Sequence, residues 1–548
     1  MIVHRGRALT GWAWIATLPV LLFPVGDPDL WWHLHAAKRL LADGSWPRTE
    51  VWSFTIPGAP WVNFEWLGQL AYYAAYQGGG IAGVWLLKAL LLAAAALGVQ
   101  FLLSRIGIGV QYRALGTALW ITAAAPRADA RIELFSIAAF SWLLCGLETR
   151  RRRGIPAGSE RSLALFGAAA GALWANLHGG FVYGFALLGA YALHDSLERR
   201  GRGLWWAFGG AVFGTALNPY GLGLHALLWR HAAEAASLQG LILEWAPLDP
   251  TRPSHWPTWF FLITTMAALG ALWRGRRRVP PLAAVLLGLF GMAALRHARA
   301  GIFFVTLAIA YLPLLALKAR KMPRVTRRTF QGVAVLLAAL GAFGLWIGAP
   351  VRTLRAVHHR EFWPVRAADF MEREREFRDL RVYNAWGWGG YLGYRFGDAW
   401  RIFQDGRYVF HPLLLEAREG IASPEAWTRF LGRYGVEAAL MENAPLKVAS
   451  TREYPDGTRR VFQRPFYLSF MPREKWALVY WDAQALLFVR REVLEVKRMS
   501  ALEYKLARPG DEEALADALA RGEIDTDLLA KERERYAKTT ALPESPLP

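Results

Sequence analysis

IAGVWLLKALLLAAAALGVQFLLS, residues 81–104, carries a single charge, Lys88, in 24 positions. An apolar run of that length crosses the roughly 30 Å hydrocarbon core of a bilayer as one helix. Ten further apolar runs flank it, at about 9–25, 114–126, 132–148, 162–177, 180–197, 204–221, 257–273, 280–295, 301–317 and 329–349. The pair around Arg127 is short enough to be a recessed hairpin, so the count of eleven spans is uncertain by about two, whereas the polytopic class is not. The first run follows Arg5 and Arg7 and ends at Pro24 without a small-residue cleavage site, which reads as an uncleaved anchor.

Composition agrees with this class. Of 548 residues, 54% are hydrophobic and 20% charged, which excludes a disordered chain. A formal charge of +20 invites a nucleic-acid partner until its distribution is examined. Residues 1–349 hold 32 basic and 14 acidic side chains, and residues 350–548 hold 32 and 30. The surplus therefore belongs to the apolar part and the remainder has a soluble texture. We expect an α-helical polytopic membrane domain over 1–349 with a long first outer loop at 26–80. A soluble α/β domain over 350–499 and a charged helical tail over 500–548, unordered after Leu542, follow it. The single cysteine, Cys145, excludes an internal disulfide framework.

A cytoplasmic N-terminus puts 22 basic residues on the inner side and nine on the outer, alternating at every loop. With an odd number of spans, the C-terminal domain then lies outside the cytoplasmic membrane. On this topology the costly polar residues gather at the outer face. The first loop begins Gly26-Asp27-Pro28-Asp29-Leu30-Trp31-Trp32-His33, and Asp29 and His33 are four apart on an expected helix over 30–43. A second amphipathic helix is expected over 64–77, opened by Asn63, Glu65 and Trp66, and the Trp and Tyr content of both suits a membrane interface. Other outer ends carry Arg127, Asp129, Arg131 and Glu133; Asn176 and His178; Asn218-Pro219-Tyr220-Gly221; and Arg296, His297 and Arg299. Ionisable groups at such depth mark functional sites by default. Each has a plain alternative: Asp27 as a boundary cap, the arginines as snorkelling residues, His178-Gly179-Gly180 as a tight turn and Asn218 as a helix stop.

Carboxylates beside arginines and a histidine suit a reaction in which a phosphate leaves and a neutral hydroxyl or amide attacks. Asp27 and Asp29 are the candidate catalytic pair, as base or as ligands of a divalent cation such as Mg or Mn. Arg127, Arg131, Arg296, His297 and Arg299 are candidates for the donor phosphate, and His33, Glu65, His178 and Asn218 for the cavity. No phosphate-cradling loop is present, so a nucleotide donor is unsupported and a lipid-linked donor meets the geometry better.

The segments GDPDLWWHLH, WVNFEWLG, ANLHGGF, LNPYG and RHARAG resemble those of a bacterial group within the GT-C superfamily of polyprenyl-phosphate-dependent glycosyltransferases. That resemblance implies an acidic first loop at the catalytic centre, at Asp27 and Asp29, with an oligosaccharyltransferase-like architecture. It further implies a lipid-linked sugar donor and an acceptor glycan, lipid or protein, with membrane lipids and not nucleic acid as partners. Residues 382–411, VYNAWGWGGYLGYRFGDAWRIFQDGRYVFH, are similar to the oligosaccharyltransferase Trp-Trp-Asp-Tyr-Gly motif through Trp386, Trp388, Gly389, Gly390 and Tyr391, although its aspartate is missing. They read as strand, aromatic-glycine turn, short helix and a second strand ending at Asp405. Trp386, Trp388, Tyr391 and Asp405 are thus acceptor-side candidates, with a packed glycine turn as the alternative. Two other functions compete: a lipid-linked glycan flippase, which predicts polar residues in mid-span, and a non-catalytic envelope assembly protein worked by its tail.

Overall fold

In a computed structural model, the structure describes residues 2–154, 158–242, 244–318 and 362–548, with Arg328, Gln331, Gly332, Val335 and Ala339; of residues 2–9 it describes the backbone alone. The expected span at 329–349 lies largely outside the described residues. Contacts divide the chain into two compact units. The first comprises Met1–Asp27, Ala36–Trp46 and Val62–His359, and the second Pro28–His35, Pro47–Trp61 and Arg360–Pro548. Two pieces of the first loop therefore group with the C-terminal residues, as does the 500–548 tail, where the sequence suggested a boundary at 349 and a separate tail.

The first unit is helical: α1 (Ile2–Leu21), α2 (Leu30–Asp43, whose first turns belong to the second unit), α3 (Trp66–Arg105), α4 (Val110–Ala123), α5 (Glu133–Arg153), α6 (Glu160–Leu177), α7 (Phe181–Leu197), α8 (Gly203–Thr215), α9 (Gly223–Leu238), α10 (Trp256–Arg274), α11 (Pro281–Arg296) and α12 (Gly301–Lys318). Among the described residues, three stretches are long and apolar enough to cross a membrane: Trp66–Arg105, Pro253–Arg274 and Ala298–Lys318. Thr10–Leu21 and Pro281–Arg296 are shorter apolar helices. The expected division between an amphipathic helix and a span appears inside α3, where Gly80 takes φ +56°, a conformation a side chain resists, and breaks the helix. α6 packs on α8 backbone to backbone: a Cβ on Gly167 would come 2.1 Å from the Ala207 carbonyl oxygen, and one on Gly171 2.2 Å from that of Ala211. Small residues at one-turn spacing permit this approach, which larger side chains would prop open. α12 is buried through most of its length, and the Trp120 indole donates to Thr306 Oγ1 at 2.8 Å.

The second unit is α/β. Its sheet runs β1 (Val382–Asn384), β2 (Ala438–Glu442), β6 (Ala485–Arg490), β5 (Trp476–Trp481), with β1 parallel to β2 and the other pairs antiparallel. The β5–β6 hairpin turns at Asp482, whose carboxylate accepts the amides of Gln484 and Ala485, as its turn chemistry predicts. Helix Pro424–Arg433 begins at the Ser423 cap, whose hydroxyl accepts the Ala426 amide. A hairpin of β3 (Lys447–Glu453) and β4 (Arg459–Pro465) was not foreseen, because its largely exposed residues offer no apolar alternation. The second strand expected before Asp405 is one bridge instead, Ile402 with Ser53 of the first loop. Residues 542–548, expected to be unordered, place Glu544 2.8 Å from Arg366 and Ser545 against Asp369.

Trp31 and Trp32, expected at a membrane interface, are buried here. Trp31, fully buried, meets Trp363 and Tyr391 edge-on at 5.5 Å. Burial of that much ring surface contributes several kcal/mol, and it explains why residues 28–35 group with the second unit.

Candidate functional site

In the first unit an ionic network is built from the ends of several elements. Asp129 accepts the Gly26 amide at 3.1 Å, which fixes the chain just ahead of Asp27. Asp27 is buried and paired with Arg131. Arg131 also pairs with Glu244, whose other oxygen lies 3.0 Å from Arg127. Arg127 reaches Glu133 at 3.5 Å, and Glu133, opening α5, receives Arg299 at 3.0 Å. Arg299 donates to His178 Nε2 at 2.9 Å, and Ser136 Oγ lies 2.8 Å from His178 Nδ1. Nδ1 also accepts the Gly180 amide at 2.9 Å, so both ring nitrogens face donors, Arg299 at Nε2 and Gly180 at Nδ1. Trp174 donates its indole N–H to the same Ser136 oxygen at 2.7 Å. Glu65, immediately before α3, stands 3.6 Å from His178 Nε2.

The electrostatics of this network single out two groups. Burial, reinforced by the neighbouring Arg299 charge, lowers the His178 pKa to about 3, so the ring stays neutral. Burial raises the Glu65 pKa to about 7; Glu133 adds to the rise and Arg299 opposes it. Arg127, Arg131 and Arg299 thus face the carboxylates of Asp27, Glu133 and Glu244, and Glu65 is the fourth, able to gain or lose a proton near neutrality. A carboxyl so tuned suits general acid–base work.

Several candidates stand elsewhere. Arg296, in the last turn of α11, is exposed and makes no side-chain contact with the network, and His297 Nδ1 lies 2.9 Å from the Trp245 carbonyl. Asn218 serves its own turn: it donates to the carbonyls of Thr215 and Gly221 and accepts the Tyr220 amide at 2.7 Å. Glu133 was noted at an outer end without a role, whereas Glu244 and Ser136 are partners that the sequence did not single out. Glu133 and Ser136 share the first turn of α5 on one face and so had a spacing signal, whereas Glu244 lies in an irregular stretch and had none.

In the second unit, a Cβ on Gly406 would stand 1.9 Å from Asp29 Oδ1 and 3.2 Å from the Trp32 indole nitrogen, so Asp29 belongs to this packing and Asp27 to the ionic network. His33, buried, lies against the Trp32 ring at 3.6 Å between centroids. Asp405 is buried and holds Arg407 Nε with both carboxylate oxygens at 2.9 Å. Gly389 and Gly390 are demanded by close approach, to the Gln404 carbonyl (1.7 Å from a built Cβ) and the Trp32 amide (2.9 Å). Trp388 and Tyr391 are buried, and Tyr391 OH accepts from Arg395 at 3.0 Å. Trp386, half-buried over His411, is the member of this motif that offers a face.

Asp27 is paired with Arg131, and among the described residues no three His, Cys, Asp or Glu side chains converge as metal ligands.

No protein-family model matches the sequence, and no curated protein matches it either. Solved structures do share the fold. The oligosaccharyltransferase AglB from Archaeoglobus fulgidus, in complex with an inhibitory peptide and a dolichol-phosphate, matches with a TM-score of 0.54 and 12% identity, over 98% of this chain and 87% of that one. The same oligosaccharyltransferase tethered to an acceptor peptide containing the NVT sequon gives 0.53 and 12%, over 94% and 83%. ArnT from Cupriavidus metallidurans, bound to undecaprenyl phosphate, gives 0.47 and 14%, over 90% and 99%. At such identity the oligosaccharyltransferase likeness is one of fold, a helical unit followed by a strand-containing one, as expected from the sequence.

Proposed function

We propose that this chain is an integral membrane glycosyltransferase that moves a sugar or glycan from a polyprenyl-phosphate-linked donor to an acceptor at the outer face of the cytoplasmic membrane. The observation that carries the proposal is the convergence of Arg127, Arg131 and Arg299 with a carboxyl, Glu65, held near neutral pKa. The oligosaccharyltransferase that shares the fold was captured with a dolichol-phosphate and with an acceptor peptide, a lipid phosphate and an acceptor of the kinds this reading requires.

In this reading Glu244 marks the phosphate position. Its carboxylate bridges Arg127 and Arg131 as two phosphate oxygens would, and its side chain is 27% exposed, free to give way. The acceptor's oxygen or nitrogen bonds to the anomeric carbon as the bond from that carbon to the phosphate oxygen breaks. The bonding pair leaves on the phosphate, where the arginines stabilise it. The acceptor's proton passes to ionised Glu65, and His178, whose ring nitrogens face the donors Arg299 and Gly180, does not compete for it. Asp27 holds Arg131 in place, and its position in the first loop keeps it a candidate for direct contact with the acceptor.

The test is transfer in reconstituted vesicles from a radiolabelled polyprenyl-phosphate sugar. Asp27→Asn and Glu65→Gln should each lose most activity while keeping the folded state. Full transfer by both variants would sink the proposal.

A further inference from the structure

Four consecutive arginines close α5, and they meet two different fates. Arg151 binds Glu148 through Nε and NH2 at 3.1 to 3.3 Å, and Arg152 donates to the Ile106 carbonyl at 3.0 Å. Arg150 and Arg153, three apart and so on one face of the helix, make no ion pair or side-chain hydrogen bond among the described residues. The same holds for Arg105, which ends α3. All three border one end of a single cavity of about 930 Å³ between α3, α5, α6, α7 and α8.

The rest of that cavity is apolar. Its rim carries side chains left exposed, Phe101, Trp142, Phe166 and Leu173, so it opens sideways as a groove. The Thr149 hydroxyl along it is spent on the Cys145 carbonyl at 2.7 Å. Lining residues on α6 run from Leu163 to Leu177, roughly 21 Å at the helical rise. One leaflet's hydrocarbon is about 15 Å deep, half of a bilayer core, so the groove accommodates an extended acyl chain. An apolar trough ending in three uncompensated guanidiniums is complementary to an amphiphile with an anionic head.

We propose that this groove binds one anionic glycerophospholipid of the surrounding membrane, with its phosphate against Arg105, Arg150 and Arg153 and one acyl chain along α6. The position argues against the transferase's own donor as occupant. Glu133 begins α5 and Arg150 comes near its other end, so a phosphate at these arginines lies about 25 Å along the helix from the Glu133 and Arg299 network. The lipid site rests on the membrane character of the helices and not on the transfer reaction, so either can fail without the other.

Native mass spectrometry of the full chain, incubated with palmitoyl-oleoyl phosphatidylglycerol or the phosphatidylcholine of the same chains, tests it. The expected result is one retained phosphatidylglycerol, preferred about tenfold, and loss of that preference in Arg150→Gln/Arg153→Gln with an unchanged melting temperature. Glycerol phosphate alone should not compete, because the chain supplies the remaining affinity. Cys145, the sole cysteine, lines the groove and gives a second reading: phosphatidylglycerol should slow its alkylation by a maleimide in the parent and not in the variant. Equal retention of both lipids, a preference that survives the double substitution, or competition by undecaprenyl phosphate lost with the same two arginines would overturn the assignment.

Discussion

Arg407 and Glu50, 357 positions apart, form an ion pair of 2.9 Å in which both side chains are fully buried. Asp405 completes the pair, and Trp52 and Trp61, in edge-to-face contact with each other, lie 4.0 and 4.7 Å from the guanidinium as cation–π partners. Glu50 itself is held by the amides of Trp52 and Ser53 and by the Ser53 hydroxyl. Removing one member of such a cluster leaves a buried charge uncompensated, and that costs more than the pair contributes. Arg407→Leu should therefore lower stability by about 3–5 kcal/mol and expose residues 47–61 to protease. Arg407→Lys should recover little, since a point charge cannot satisfy both carboxylates and stack on two indoles. Melting curves and limited proteolysis check this, and a silent Arg407→Leu would show the cluster to be inert.

Gly406 makes a sharper steric prediction. With Asp29 Oδ1 at 1.9 Å from a Cβ placed there, Gly406→Ala should cost about 1–3 kcal/mol. Adding Asp29→Ala should return part of the loss, because the clashing carboxylate is gone. A double-mutant cycle without coupling would mean that Asp29 is not held at this glycine.

Glu65 should govern the pH dependence of transfer. Its ionised form is the proton acceptor, so the rate should rise with pH through a midpoint of about 7 and Glu65→Gln should abolish both the rate and that limb. Stability should move the other way. A carboxyl whose pKa rises from 4.5 unfolded to about 7 folded takes up a proton on folding within that window, so stability falls as pH rises through it. Glu65→Gln should flatten this slope. Unfolding measured across pH 4 to 8 decides the matter, and identical slopes in parent and variant would refute the assigned pKa.

Glu244 should compete with the donor phosphate. Its removal as Glu244→Gln leaves Arg127 and Arg131 free to receive a phosphate and should lower the apparent KM for donor by up to about fivefold, the usual range for a partly exposed ion pair. A raised KM would instead make Glu244 a binding residue.

Arg299 and Arg296 lie three residues apart and should differ strongly. Arg299 bonds Glu133 and His178, and Arg299→Ala should cost about a hundredfold in kcat, the scale of a lost charge-stabilising donor. Arg296 is exposed and outside the network, so Arg296→Ala should stay within about twofold.

Much of this molecule is legible along the chain. Apolar run length and arginine placement announce the helical unit, the period of residues 30–43 announces α2 to the residue, and Ser423 announces the start of its helix. Such features are local, set by propensity, capping and hydrophobic period within a few turns. Asp27, Glu65, Arg127, Arg131, His178 and Arg299 were also recoverable, because ionisable groups are costly at the ends of apolar helices and therefore conspicuous there.

The partition between those groups was not. Asp27 and Asp29 are two residues apart and chemically alike, yet one joins an ionic network and the other packs on Gly406. Nor does sequence indicate that Trp31 is a core residue, that Glu244 bridges two arginines, or that Arg150 and Arg153 make no ion pair among the described residues while Arg151 and Arg152 are engaged. The sequence by itself determined which residues are expensive and so must have partners. Only the tertiary structure decided which partners they have, because pairing energies fall off over a few ångströms and depend on burial, quantities that exist only once distant segments have packed.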